Sequence, residues 1–592
     1  MLIIRRLTQQ PIVLALPALL ILAAVFGAPI VQLFFKSFNL PSFSLVNYQA
    51  FFFQPANVRV LYQTVEMSLT ATGICLLLGY PTAYLISTAR TSVRVVLIVL
   101  VVIPYLTSSL ARTYAWIVIL GDHGLINNFL IDNGFISDPL PLIYNRFAVY
   151  LGMVYIMLPV MILPMVSVMV GIDRSLMAAA QSMGASSFTS FWRVFFPLSL
   201  PGVRSGCLLV FVLCLGFYIT PAALGGLRDT MLSNFIYAEV STSFNIPRVA
   251  ASAFILLAVA FAMLWIVGLD LSGSHGLPGQ SPKDERGRAA ALIGRLLRSL
   301  SEYLISHRSK RWKSRRFRPE RSGRMPEVAG AMFLASMISF LVIPGIIIVV
   351  MSFSDANYFQ FPPAALSLRW YYQFFGDPSW DGALLASFQI GVAVTAIATV
   401  AGTLAAYGLA RAHSTVRAAI TMFMLMPITL PAIVVGIATY LGLLNFGLLG
   451  SKLGIILAHS IGGVAYAMVI VSATLANFDR RLERAAMSMM AGPFRTFRRI
   501  SLPLILPGVL GGAVFAFIHS FDEVVITSLV SGLSIRTLPL KMWENIRHQI
   551  DPTVAAASSL LIVLAMIWLV AIYAAWWRTT SRTQRIAAEA QN

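Results

Sequence analysis

Twelve times along this chain, about twenty residues pass with almost no charged side chain, and that recurrence restricts the fold more than any other feature. The runs lie near 11–34, 62–88, 94–120, 147–171, 203–226 and 248–270, then near 328–352, 384–410, 417–444, 453–477, 508–530 and 554–577. About 20 apolar residues in a helix cross the hydrocarbon core of a bilayer. Barrel strands would instead alternate apolar and polar residues over about ten positions. Composition agrees: 58% of the 592 residues are hydrophobic, 11% are charged, and the mean hydropathy is +0.80. Soluble domains carry about 25% charged residues. The expected fold class is therefore an all-α membrane protein of about twelve transmembrane helices. The run beginning at Pro11, after Arg5 and Arg6, is too long for a signal-peptide core and reads as a first span that stays in place.

The runs form two sextets that copy one another. SLVNYQAFFFQP (Ser44 to Pro55) matches SLRWYYQFFGDP (Ser367 to Pro378) at a shift of 323, which also brings Gly79 onto Gly402, Tyr84 onto Tyr407 and Pro104 onto Pro427. MGASSFTSFWRVFFPLSLPGV (Met183 to Val203) matches MMAGPFRTFRRISLPLILPGV (Met489 to Val509) at a shift of 306. The first half therefore holds extra residues between its third and fifth spans, and the loop Gly121 to Asn145 is the expected place. An even number of spans separates equivalent points, so the repeats run parallel about a pseudo-twofold axis along the membrane normal. The expected organisation is a first repeat over 1–270, a basic linker over 271–327, a second repeat over 328–580 and a tail over 581–592.

The net charge of +20 would suit a nucleic-acid binder, but its distribution favours another cause. Between Lys283 and Arg324 stand 14 Lys/Arg and 4 Asp/Glu, and most remaining basic residues fall in loops that share one face. Cytoplasmic loops retain Lys and Arg, so that face and both termini are expected in the cytoplasm, with no nucleic-acid partner. Within the linker, Leu292, Ile293, Leu296, Leu297, Leu300 and Leu304 recur at helical spacing opposite arginines, a pattern suited to lying on anionic lipid. The three cysteines show no metal-binding spacing and the 24 methionines are spread along spans, so they read as packing.

Both copies of the Pro-x-x-x-Pro-Gly-Val signature lie on the basic face, in loops near 173–203 and 479–509. A water-facing stretch of helix formers closed by proline should be a short helix that turns back into the membrane. Two such loops related by a twofold suggest equal docking points for a symmetric partner.

These loops resemble the coupling motif of permeases of binding-protein-dependent ABC importers: an acidic residue and Ala-Ala, a glycine four positions beyond, then Ile-x-Leu-Pro. The pattern falls on Ala178, Ala179, Ala180, Gly184, Val194, Phe196 and Pro197, and again on Arg484, Ala485, Ala486, Met490, Ile500, Leu502 and Pro503. The chain departs from it where Ala178 and Arg484 replace the acidic residue and Met490 replaces the second glycine. LARTYAWIVILGDHGLINNFL and GFYITPAALGG resemble the first permease of spermidine/putrescine-type importers; SLRWYYQFF and HSFDEVVITSLVSG resemble the second. The resemblance implies a type I ABC importer permease fold in a bacterial inner membrane. It also implies two copies of a cytoplasmic ATPase subunit, which would hold ATP and Mg, and a periplasmic binding protein. Polyamine or a related organic cation is the implied cargo, with iron(III), thiamine, opine and aminophosphonate importers sharing the architecture. No GxxxxGK[ST] occurs, so the chain is expected to be neither the ATPase nor another enzyme, and to carry no cofactor or metal of its own. A secondary transporter also uses repeated bundles, but the docking loops and the scarcity of acidic residues in the spans disfavour it; a channel would need a polar or re-entrant pore signature.

Charged groups within spans are costly, about 2.5–3.5 kcal/mol at a helix centre, and often mark a pathway. Asp522 and Glu523 lie in the eleventh span, where the first half has Gly216 and Phe217. A cationic cargo could pair with these carboxylates while Phe217 and Tyr218 opposite offer cation–π surface. Asp522 could equally pair with His519 or Arg112. Arg112, in the third span, reads first as a structural partner and second as a cargo contact.

Overall fold

The computed structural model describes residues 11–243, 245–267, 324–356, 361–412, 414–476, 478–532, 534–548, 552–567 and 570. The amphipathic stretch of the linker and the tail lie outside the described residues. Regular structure among those described is helical, apart from one bridge between Ser354 and Leu366.

The first half contains α1 (Ile12–Ser37), α2 (Pro55–Thr88), α3 (Thr91–Leu106), α4 (Ser109–Leu120), α5 (Arg146–Val170), α6 (Ser175–Ser182), α7 (Ser187–Leu215), α8 (Leu232–Thr242) and α9 (Ile246–Val267). The second contains α10 (Arg324–Met351), α11 (Pro378–Leu409), α12 (Ser414–Thr429), α13 (Ala432–Asn445), α14 (Lys452–Ala476), α15 (Arg481–Ser488), α16 (Pro493–Asp522), α17 (Leu538–His548) and α18 (Thr553–Ile567). Helix α3 and its copy α12 share both ends at the shift of 323, and α5 and α14 share both at 306. The shift changes between α4 and α5, so the extra residues occupy 121–145, where they form a helix at Leu125–Asp132.

Nine described helices are long and apolar enough to cross a bilayer, or eleven when each of two bent pairs counts as one span. The spans expected near 94–120 and 417–444 are those pairs. Thr91–Leu106 meets the segment Ser109–Asp132, which α4 opens, at 92°, and Val416–Thr429 of α12 meets α13 at 104°. Pro104 and Pro427 lie near the ends of α3 and α12, and Pro431 caps α13. Each proline removes a backbone donor from the helix ladder, so the apolar run continues in sequence while the helix does not. The last expected span is described only through α18.

The first helix of each half lies on the other half: α1 packs against α11, α13 and α14, and α10 against α2, α3 and α4. The inner layer is α2, α5 and α7 with their copies α11, α14 and α16, packed in the same pairwise order in both halves. With little hydrophobic force between helices in lipid, such packing rests on close van der Waals fit and small residues.

Candidate functional site

Two parts of the molecule hold most of the residues singled out from the sequence: the paired loops at one end of the bundle and a cavity between the halves.

Each loop begins with an aspartate that caps it. Asp173 Oδ1 accepts from Ser175 N at 2.9 Å and Asp479 Oδ1 from Arg481 N at 2.8 Å. Each loop is also tied to the second span of its own half. Arg174 donates to Ser87 O at 2.9 Å, and Arg480 donates to the equivalent Ala410 O. Helices α6 and α15 end in a left-handed residue, Gly184 at φ +90° and Met490 at φ +61°. Ala185 N returns to Ala180 O and Ala491 N to Ala486 O, closing the same turn. Glycine adopts this conformation freely; the methionine does so with about 1–2 kcal/mol of strain.

The chain then re-enters a helix earlier than expected. Pro197 and Pro503 were expected to close the loops, yet they lie within the continuous helices α7 and α16, just past π turns at Phe191–Phe195 and Phe497–Ser501. Neither proline can donate to the carbonyl four residues back, and the helix widens there instead of ending. Ala178, Ala179, Arg484, Ala485, Met490 and both prolines are exposed, Ala180 is half-buried and Ala486 is buried. Met183, Met489 and Met490 are 83%, 78% and 96% exposed, so both loops offer bare apolar side chains at their tips.

Glu483 was not singled out from the sequence. It precedes Arg484 by one residue and is 6% exposed. Its Oε1 accepts from Arg411, from Tyr407 Oη at 3.0 Å and from Ser501 Oγ. Burial alone would raise this carboxyl; the hydrogen bonds from Arg411, Ser501 and Tyr407, with the charge of Arg411, outweigh it and hold the group below the ordinary glutamate value. The acidic group missing at 484 is thus present one residue earlier, turned inward. Its signal in the sequence was a lone acid among the arginines of 480–484.

Between the halves lies a cavity of about 200 Å³ whose polar lining includes Tyr105, Arg112, Tyr466, His519, Asp522 and Glu523. Asp522 pairs with neither His519 nor Arg112 by hydrogen bond. It crosses the midline to the start of α4, where Oδ1 accepts from Ser108 Oγ at 2.6 Å and from Ser109 N at 3.0 Å. A carboxylate at a helix N-terminus meets unpaired N–H groups and the positive end of the dipole. The pseudo-symmetric contact is made by bare backbone: a Cβ on Gly216 would stand 3.1 Å from Pro431 Cα and 3.2 Å from Ala432 N. One crossing is a polar clamp and the other a glycine approach.

Arg112 is 7% exposed, and its Nε and Nη1 have no hydrogen-bond partner. Neither of these two nitrogens bonds the carboxylate or the carbonyls expected to hold the side chain. Glu523 Oε1 accepts from Ile526 N at 2.9 Å, capping the short helix Val525–Val530. The structure does not bring Phe217 and Tyr218 to this lining. Tyr218 is buried against Tyr237 and Trp543, with ring centroids at 4.6 and 5.7 Å, and Phe217 packs at the edge of the core. The break after Leu215 turns the chain there, and the aromatic rings that line the cavity include Tyr105, Tyr466 and Phe515 instead. His459, also unforeseen, is buried between Ser520 and Thr527, with both ring nitrogens at 2.9 Å.

The family described as binding-protein-dependent transport system inner membrane component matches twice, at residues 75–270 and 398–580. The spermidine/putrescine transport system permease protein PotB of Haemophilus influenzae is 40% identical over 215 residues, covering 36% of this chain and 75% of that protein. The putrescine transport system permease protein PotI of Escherichia coli K12 is 31% identical over 258 residues, covering 42% of this chain and 90% of that one. Among solved structures, a bacterial alginate ABC transporter in complex with alginate pentasaccharide-bound periplasmic protein covers 43% of this chain and 90% of its own, at 17% identity and a TM-score of 0.35.

Proposed function

Because the chain belongs to the family of binding-protein-dependent transport system inner membrane components, and holds that unit twice, we propose that it forms the whole translocation pathway of an ABC importer for polyamines or a related organic cation. Two cytoplasmic ATPase subunits dock on the loops around α6 and α15, and a periplasmic binding protein delivers cargo to the opposite end. The loops, the linker 271–327 and both termini then face the cytoplasm, in agreement with the clustering of Lys and Arg there. The repeats 1–270 and 328–580 act as the two subunits of a fused pair.

The observation that carries this reading is the matched geometry of the loops. Both have the same capped helix, the same arginine tether to the second span and the same left-handed turn. A symmetric pair of ATPases needs two such contacts in equivalent positions. Relatives whose names give spermidine and putrescine support the cargo class, as do two carboxylates in a cavity lined by tyrosines. Arg112 in that lining favours one second reading, an amine that also carries an anionic group, such as an opine or an aminophosphonate.

The test is reconstitution of the full chain with its ATPase and binding protein in liposomes, with uptake of radiolabelled putrescine and spermidine measured. Replacing 178–184 and 484–490 together with polar linkers should abolish co-purification of the ATPase; its retention would refute the docking reading. Asp522→Asn should lower uptake at least tenfold, and wild-type uptake in that variant would remove Asp522 from the pathway.

A further inference from the structure

Beyond a shared arginine tether and a shared edge-on ring contact, Tyr84 with Phe191 and Tyr407 with Phe497 at 4.7 Å, the two loops are joined to their transmembrane halves by different chemistry, and the difference centres on one carboxylate. Glu483 ties α15 to two further elements: to α11 through Tyr407 and Arg411 at its inner end, and to α16 through Ser501 at the end of its π turn. Arg411 is itself fixed, because its Nη1 donates to Tyr407 O at 2.7 Å and its guanidinium lies 3.4 Å from the Tyr407 ring centroid. At the equivalent places the first half has Met177 for Glu483, Thr88 for Arg411 and Phe195 for Ser501, and keeps only the tyrosine, Tyr84. There the ring of Tyr84 meets Phe191 and Phe195 edge-on, with centroids at 5.4 and 5.2 Å. Ring packing is weakly directional and tolerates sliding. A buried carboxylate with three donors is directional, and removing its charge leaves a guanidinium without its counter-ion.

We propose that Glu483 is the positioning residue of the second loop, a charge-held joint through which that loop moves α11 and α16 as one body, whereas the first loop moves its half through an aromatic joint. The ATPase stroke in this proposal rests on the docking role given above. Glu483 does not itself face the partner; Arg484, Ala485 and Met490 do.

The experiment uses the full chain in lipid nanodiscs with a nitroxide on Ser488→Cys, and on Ser182→Cys as the equivalent position of the first loop. Glu483→Gln should raise label mobility at 488 about twofold or more and leave 182 unchanged. The exchanged pair Glu483→Arg with Arg411→Glu should be less mobile than either single variant. In the reconstituted complex Glu483→Gln should retain the ATPase subunit but raise ATP hydrolysed per putrescine delivered several-fold, while Met177→Gln leaves that ratio unchanged. Unaltered mobility and ratio in Glu483→Gln, or an equal effect from Met177→Gln, would overturn the proposal. If the wild-type chain bound no ATPase subunit, the docking reading would fall, and the contrast between labels 488 and 182 would still decide whether Glu483 fixes the loop.

Discussion

Equivalent positions in the two halves hold residues of opposite character, and the structure shows what each difference does. Asp522 clamps the start of α4, while Gly216 lets the start of α13 approach to backbone distance. Gly216→Ala should therefore force the halves apart locally. We expect a loss of about 1–3 kcal/mol, the usual cost of overpacking, seen as a lower midpoint of thermal unfolding in detergent; an unchanged midpoint would mean the crossing has slack. Glu483 supplies a prediction with pH. Its carboxyl is held below the ordinary glutamate value by Arg411, Ser501 and Tyr407, so the stabilisation is fully present above the unfolded-state value of about 4.3. It is lost as pH falls through the lower folded value. The Ser488 label should stay immobile from pH 8 to 5 and loosen only in more acidic buffer, and Glu483→Gln should remove that step.

At the scale of elements, the cytoplasmic helices show how one turn can be built at different cost. Gly184 and Met490 hold the same left-handed position, and the methionine is 96% exposed, so its side chain gains nothing from packing inside this chain. Met490→Gly should relieve about 1 kcal/mol of strain, and Gly184→Met should add a similar amount to the first loop. Hydrogen exchange at Ala185 N and Ala491 N would report both changes, in opposite directions. The π turns after the loops and the sharp bends between α3 and α4 and between α12 and α13 have a common origin in proline. The bend between α3 and α4 gives the bundle irregular backbone beside the cavity, which Leu106 and Ser109 line, and neighbouring helices and buried side chains can satisfy it there.

The whole molecule is held together by exchange of first helices: α1 lies on the second half and α10 on the first. Neither half can bury its inner face alone. A chain cut within the linker, expressed as 1–297 and 298–592, should assemble when both parts are present, and 1–297 expressed alone should aggregate or be degraded. Affinity purification through a tag on one part measures this directly. A stable isolated first half would show that the exchanged helices are dispensable.

Much of this architecture was legible along the chain. Most of the apolar helices, the repeat and the site of the extra residues follow from local hydrophobicity and from alignment of the chain with itself. The two broken spans were not legible as breaks, because an apolar run looks the same whether its helix continues or turns. Serines at 108 and 109, soon after Pro104, were the available sign. The partners of the charged residues lay further out of reach. Ser108 and Asp522 are 414 positions apart, and Arg411 and Glu483 are 72 apart. Sequence by itself determined which segments are apolar enough to enter a membrane and that the chain is a doubled unit, because transfer of a helix into lipid depends on its own side chains. Only the tertiary structure decided that Asp522 caps a helix of the other half, that Phe217 and Tyr218 lie away from the cavity, and that Glu483 holds the second loop. Those outcomes depend on which helix ends the packed bundle brings within about 3 Å of each other, the reach of a hydrogen bond.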